Sequence, residues 1–306
     1  MKTKYLAFAA LATMLASCSN DEDFTPQADS LKDTPITVSA MVGELATRAG
    51  YDSENLPEKF YLTVTQEAGV ENSPYNYTDV GMTKGDDNSY TEPDGVQMLW
   101  KDETPSVSAI TAYTIDTGTD VKVKTNQSTS DNVVASDLLG AIYATENSDI
   151  TITGANIGIN FRHLLCKLDI TLSWGTELDN ATTKEITGVT ISGLNTTATL
   201  DRTTAAITDG ATVADIKAYT VTSDEGVTTA EAIFAPSTAS PTINISTKID
   251  DVERVFTLTP TAPEDGFTSG NRYTVSITVG GSIVYGVTAT VANGWTAETG
   301  GNMATE

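Results

Sequence analysis

Few side chains in this sequence have the chemistry of a catalyst. His163 is the single histidine, and it lies three residues before Cys166 in FRHLLCKLD. A thiol and an imidazole work as a nucleophile pair only within hydrogen-bond reach. On one strand, residues three apart face opposite sides, so this pair does not meet. Leu164, Cys166, Leu168, Ile170 and Leu172 alternate on one apolar face, which makes Cys166 a core residue and His163 a structural, hydrogen-bonded one. Zinc needs several His or Cys ligands, and the chain has too few. Asp86, Asp87, Asn88 and Asp94 cluster in GDDNSYTEPDG (85–95) and raise the question of calcium. Without EF-hand spacing the segment reads as a polar surface loop. Phosphate loops, Rossmann glycines and a serine nucleophile elbow are absent. The expectation is a non-enzyme without cofactor or metal. Trp100, Trp174 and Trp295 stand at or just beyond strand ends, where a ring either stacks on a glycan or closes a core.

One basic residue stands apart. Arg48, in GELATRAGYDS (43–53), is the only Lys or Arg between Lys32 and Lys59, and its neighbours are small or flexible. Upstream, Lys2 and Lys4 precede the apolar run YLAFAALATMLA, too short to span a bilayer and of the form of a secretory signal. The run ends in LASC (15–18), the pattern of a bacterial lipobox, which marks Cys18 for acylation after cleavage of residues 1–17. The acidic run SNDEDF (19–24) follows and resembles the surface-export signal of Bacteroidetes lipoproteins. It is also what a solvated linker looks like. Across 306 residues, 17 Lys and Arg stand against 41 Asp and Glu, a formal charge of −24. Such a surface repels nucleic acid and anionic lipid, which leaves the precursor's lipid as the one expected membrane contact. With Cys18 acylated, Cys166 has no disulfide partner, so stability rests on an ordinary core.

The elements around these residues read as short strands. RYTVSITVG (272–280) and SIVYGVTATV (282–291) alternate with period 2, the second through Ile283, Tyr285, Val287, Ala289 and Val291. Gly280-Gly281 between them signals a hairpin. ITVSAMV (36–42) puts Ile36, Val38, Ala40 and Val42 on one face. Similar runs occur at 60–66, 106–115, 149–154, 185–194, 218–222, 231–236, 242–249 and 253–260, with Asp250-Asp251 as a tight turn between the last two. DLLGAIYAT (137–145) is open between a helical turn and a strand. Many short strands and few helices predict an all-β protein of two tandem β-sandwiches, 49–165 and 166–306.

The order of lipobox, acidic run, ITVSAMV, ATRAG, FRHLLCKLDITL, GNRYTVSITV and ANGWTAETGG resembles the fimbrillin family of Bacteroidales, the subunits of type V pili. The resemblance implies transthyretin-like β-sandwiches and a lipoprotein precursor at the outer cell surface. It also implies an arginine-specific protease that cuts after Arg48, releasing a chain that begins at Ala49 into an extracellular fimbrium. Residues 18–48 would then be a propeptide whose strand Ile36–Val42 completes the first domain until it is removed. The family's donor, the C-terminal strand through Ile283, Tyr285, Val287, Ala289 and Val291, implies other pilin subunits as partners by strand addition. A surface receptor is a further implied partner. The rival reading is a lipid-anchored, glycan-binding surface lipoprotein or a pilus anchor, either of which keeps its acylated Cys18.

Overall fold

The computed structural model describes residues 30–43, 50–223, 226–281 and 284–292, the stretch after Val284 by its backbone path. Cys18, Arg48, Ala49, Ile283 and Trp295 lie outside the described residues. Strands dominate because Val, Ile and Thr recur at alternate positions, and β-branched side chains fit a pleated, half-buried surface.

The first half runs through β1 (Thr37–Val42), β2 (Lys59–Thr65), β3 (Tyr77–Lys84), β4 (Ser89–Thr91), β5 (Ala109–Tyr113) and β6 (Asp120–Lys122). A short helix, α1 (Ser130–Val134), precedes β7 (Leu139–Ile142), β8 (Ile150–Thr153) and β9 (Asn156–His163). All of these strands but β6 join one sheet in the order β1-β4-β3-β2-β5-β7-β9-β8. Because β1 also pairs with β9, seven of the eight close into a barrel-like ring. Phe60, Leu62, Ile110, Ile157 and Phe161 are buried in its core. Here an open sandwich over 49–165 was expected. Alternation tells which residues face inward, but closure depends on a pairing between Thr37 and Asn156, which no local pattern reveals.

The second half holds β10 (Cys166–Trp174), β11 (Lys184–Ser192), β12 (Thr197–Asp201), β13 (Ala206–Asp209), β14 (Ile216–Lys217) and β15 (Tyr219–Thr222). It continues with β16 (Thr228–Phe234), β17 (Thr242–Ile249), β18 (Val252–Leu258), β19 (Arg272–Val279) and β20 (Val284–Ala292). A five-stranded sheet, β15-β16-β10-β19-β20, and a four-stranded one, β14-β11-β17-β18, share one core. Leu168 and Ile170 of β10, Ile191 of β11 and Ile245 of β17 are buried within it. This half is a two-layer β-sandwich.

A third core lies where the halves meet. Tyr113, Leu138, Leu164, Leu165, Leu200 and Ile233 are buried together there. Above it, β6 of the first half pairs with β12 of the second in a three-stranded sheet, β13-β12-β6.

Several local readings change. The run 159–174 is two strands, β9 and β10, broken at Leu164-Leu165. Leu164 therefore belongs to the junction core and not to the face of Cys166 and Leu168. The strand in 137–145 is β7, and the helical turn precedes it, capped where Thr129 accepts from the Asn132 backbone N–H. β3 carried no alternating signal because a bulge interrupts it: Leu62 pairs with Val80 but Val64 with Tyr77. Asp79 in the bulge has φ 48°. The β19–β20 hairpin is antiparallel, and a bulge puts Ser276 opposite Thr288 but Thr278 opposite Tyr285. The backbone register along the described part of 283–291 is thus interrupted rather than continuous.

The Asp250-Asp251 turn is seen as expected, with φ of 47° and 64°. Two left-handed residues in a two-residue hairpin match a type I′ turn, whose second position favours glycine. Asp250 earns its place, since its carboxylate accepts from the Thr182 backbone N–H at 2.7 Å. Asp251 contributes only an exposed ion pair with Lys248 at 2.8 Å, worth little in water. Asp251→Gly should therefore raise stability by about 0.5–1 kcal/mol, read as a rise of roughly 2 °C in the thermal midpoint. Asp250→Gly should lower it.

Candidate functional site: the inserted strand

The residues 31–43 lie in the first half as a bound peptide would. Their first part runs antiparallel to the segment after β4. Leu31 N–H donates to Glu103 O at 3.0 Å, Asp33 N–H to Trp100 O at 2.7 Å, and Ile36 N–H to Met98 O at 2.8 Å. Trp100 N–H returns a bond to Thr34 O at 3.0 Å. The tyrosine hydroxyl of Tyr75 donates to Asp33 Oδ1 at 2.7 Å. From Thr37 onward the strand changes partners. It pairs in parallel with β9 over six positions, from Thr37 opposite Asn156 to Val42 opposite Phe161. Its other edge meets β4 at only two, Val38 opposite Tyr90 and Ser39 opposite Ser89.

Period 2 then decides which side chains go in. Ile36, Val38, Ala40 and Val42 are each at most 4% exposed, whereas Met41 on the opposite face is 60% exposed. On the outer face Asn156 Nδ2 donates to Ser39 Oγ at 3.0 Å, and Thr37 Oγ1 donates to Asn156 Oδ1 at 3.2 Å. The groove beneath is aromatic. Phe60 packs against Tyr90 with ring centroids 4.7 Å apart and edge-on to Phe161 at 5.1 Å. The Tyr90 hydroxyl donates to Pro57 O at 2.7 Å. Burial, with the nearby Glu58 carboxylate and Tyr51, pushes its pKa up to about 12. An open cleft of about 390 Å³ remains beside the first part of the strand, between Pro35–Val38 and Ser89–Gln97.

The four residues of the expected removable strand thus share one buried seam. The C-terminal strand lies elsewhere, at the edge of the second-half sheet, with β19 as its sole sheet neighbour among the described residues. The other candidates are structural. His163 Nδ1 lies 3.0 Å from Asp137 Oδ2, and both are buried. Cys166 is buried in the other core, its Sγ 3.2 Å from Thr268 O, and burial pushes the thiol's pKa up. Trp100 is fully buried and donates from Nε1 to Ala155 O at 3.0 Å, and Trp174 packs against the second-half core. Trp100 therefore offers no ring face for a sugar, whereas Trp174 is half-buried. Among the described residues no three His, Cys, Asp or Glu come close enough to hold a metal.

Reading by pattern missed the polar groups at the junction. Lys167 is fully buried and paired with Glu231 at 2.8 Å. Asp79, in its bulge, pairs with Arg202 of the second half. Gln127 accepts from Ile233 N–H at 2.8 Å and donates to Ile233 O at 2.7 Å, standing in for a strand where β15 has ended. Lys167 sits amid an apolar alternation, which was the one visible signal.

A model of the fimbrillin-like family matches residues 47–295. Two crystal structures are similar over most of both chains. A candidate cell adhesion protein from Bacteroides ovatus ATCC 8483 has a TM-score of 0.63 at 17% identity, covering 87% of this chain and 99% of its own. Another, from Bacteroides uniformis ATCC 8492, has a TM-score of 0.58 at 21% identity, covering 86% of this chain and 98% of its own. At these identities the likeness is one of fold. No curated protein matches the chain.

Two measurements test the seam. Burying Ile36, Val38 and Val42 is worth on the order of 1.5–3 kcal/mol each as an upper estimate. A chain beginning at residue 50 should lose several kcal/mol in denaturant unfolding and bind a hydrophobic dye. Adding a synthetic peptide of residues 30–43 should reverse both effects, and a peptide carrying Val38→Asp should not. Alkaline titration reports burial in the ring through Tyr51 and Tyr90 and at the junction through Tyr113. Tyr51, Tyr90 and Tyr113 are each pushed up to about 12, chiefly by burial. A tyrosine whose folded pKa lies above the unfolded value near 10 stabilises the fold below pH 10, and that contribution is lost as pH rises through 12. Absorbance at the phenolate band should show these rings ionising late, together with unfolding.

Proposed function

The chain belongs to the fimbrillin-like family, and on that premise we propose that it is a stalk or tip-proximal subunit of a surface pilus. In this reading it reaches the outer surface as a lipoprotein precursor acylated at Cys18. An arginine-specific surface protease then cuts after Arg48, residues 18–48 leave, and the chain starting at Ala49 polymerises into an extracellular fimbrium that supports adhesion.

The observation that carries the reading is the placement of β1. It is a six-residue strand on the N-terminal side of Arg48, buried on one face and hydrogen-bonded along β9. Its removal would leave a row of unpaired backbone groups above an apolar groove, an arrangement that a strand from another subunit can fill. Contacts of that kind are heterologous and do not close, so they propagate a filament. Without β1 the ring would also be open between β4 and β9, which moves the first half toward the transthyretin-like sandwich that the family resemblance implies. The family match begins at residue 47, close to the Arg48–Ala49 bond and after β1.

Mass and N-terminal sequence of the protein taken from the cell surface test this directly. The expected result is a lipid-free chain beginning at Ala49. Arg48→Lys should block the arginine-specific cut and leave precursor on the cells, while trypsin added afterwards should still cleave it. A surface chain that keeps an acylated Cys18 would instead mark an anchor subunit or a glycan-binding lipoprotein.

A further inference from the structure

β18 is an end strand of the four-stranded sheet in the second half, with β17 as its one sheet neighbour among the described residues. The strand at the opposite end, β14, is two residues long and already continued by backbone bonds. Lys217 N–H donates to Thr125 O at 2.8 Å, and Gln127 N–H donates to Lys217 O at 2.9 Å. No described segment continues β18 in that way. Its seven residues pair with β17 without a bulge, from Val252 opposite Ile249 to Leu258 opposite Ile243. Ile249 and Val252 flank the two-residue turn, so they are the closing hydrogen-bonded pair. Alternation then points the backbone N–H and C=O of Glu253, Val255 and Thr257 away from β17, toward the free edge. Val255, at the centre of the strand, is 65% exposed, more than any other large apolar side chain among the described residues.

We infer that the free edge of β18 docks on β18 of a second copy of this chain, antiparallel about a two-fold axis at Val255. Two four-stranded sheets then run on as one. In this register Val255 meets Val255 of the second copy, Glu253 meets Thr257, Arg254 meets Phe256, and Val252 meets Leu258. The whole strand is used, and its outward backbone groups form three hydrogen-bonded pairs of two bonds each. The charges on the edge select this register. An edge strand is ordinarily guarded by charge, because like charges placed opposite each other repel. Moving the axis to Arg254 sets that residue against itself, and moving it to Glu253 does the same for Glu253. Moving it to Phe256 sets Val255 against Thr257 and keeps only two of the three bonded pairs within the strand. In the Val255 register no like charges stand opposite. Arg254 is also turned to the inner face, where its guanidinium donates to Gly281 O, and Phe256 is buried in the core beside it. The contact is isologous and closes as a dimer. It leaves β1 in place and does not depend on its proposed release. Seven residues a side is small beside the roughly 20–30 of a standard interface, so one such contact is weak. Copies arrayed along a polymer would add up and hold two filaments side by side, a consequence that rests on the pilus reading.

Cross-linking and sedimentation test the contact on the uncleaved chain without residues 1–17 and with Cys18→Ser, where buried Cys166 is the one native thiol left. A hydrogen-bonded antiparallel pair holds its Cα atoms about 5.5 Å apart, within disulfide range. Mild oxidation of Val255→Cys should give a dimer that survives denaturant and collapses on reduction. Glu253→Cys alone and Thr257→Cys alone should stay monomeric, while an equimolar mixture of the two should cross-link. Val213→Cys, at a residue 53% exposed just before β14, sets the background. Val255→Pro removes an outward N–H that β17 does not use. Sedimentation equilibrium at high concentration should show a dimer for the parent chain and a monomer for this variant, with the β-sheet circular dichroism retained. If Val255→Pro fails to fold, the cysteine series decides. Cross-linking of Val255→Cys no stronger than that of Val213→Cys would overturn the contact. A dimer from Glu253→Cys or Thr257→Cys alone would overturn the register, and a dimer that survives Val255→Pro would overturn β18 as the interface.

Discussion

A sheet closed on itself has no edges left to satisfy, and here closure depends on one six-residue strand bonded unequally on its two sides. β1 holds β9 through six parallel pairs and β4 through two antiparallel ones. Everything in the first half is arranged around that closure. The aromatic packing of Phe60, Tyr90 and Phe161 and the buried hydroxyl of Tyr90 need the strand above them, because otherwise they face water. The imbalance between the two seams means that the ring is strongly tied on one side of the strand and lightly tied on the other. A closed sheet with one weak seam can be opened without dismantling the rest of its pairing.

The second half has no such dependence, since its core lies between two sheets that are complete without closure. What joins the halves is interleaved rather than end to end. β6 pairs across to β12, Asp79 reaches Arg202, and the side-chain amide of Gln127 continues a sheet of the second half from a loop of the first. The Lys167–Glu231 pair lies on adjacent strands beside this junction. A buried ion pair is weak evidence for stability, but it discourages alternative registers that would leave either charge unpaired. The junction is therefore a place of specific fit as well as apolar burial.

Much of this was legible in the sequence, for reasons tied to particular residues. Alternation placed β1, β2, β17 and β19 nearly to the residue, and the paired aspartates at 250 and 251 marked their turn because only special backbone angles suit it. The four inward residues of β1 followed from the same periodicity. What stayed hidden was long-range. β3 lacks alternation because Asp79 occupies a bulge whose purpose is a partner, Arg202, more than a hundred residues away. Leu164 and Leu165 break the alternation because both are buried at the junction, a fact about the other half of the chain. Ring closure was invisible for the same reason: the β1 face is local, but its neighbour β9 is not.

The parallel pairing of β1 with β9 spans 119 residues between Thr37 and Asn156. Contacts so far apart in sequence close late, because the entropy of the intervening loop must be overcome before they form. A chain delivered N-terminus first presents β1 well before β9 exists to receive it. The first strand to emerge is thus among the last to be seated, so the sheet beneath must be able to assemble, at least transiently, with its groove empty. Under the proposed processing, the order of folding and the order of release are mirror images: last in, first out.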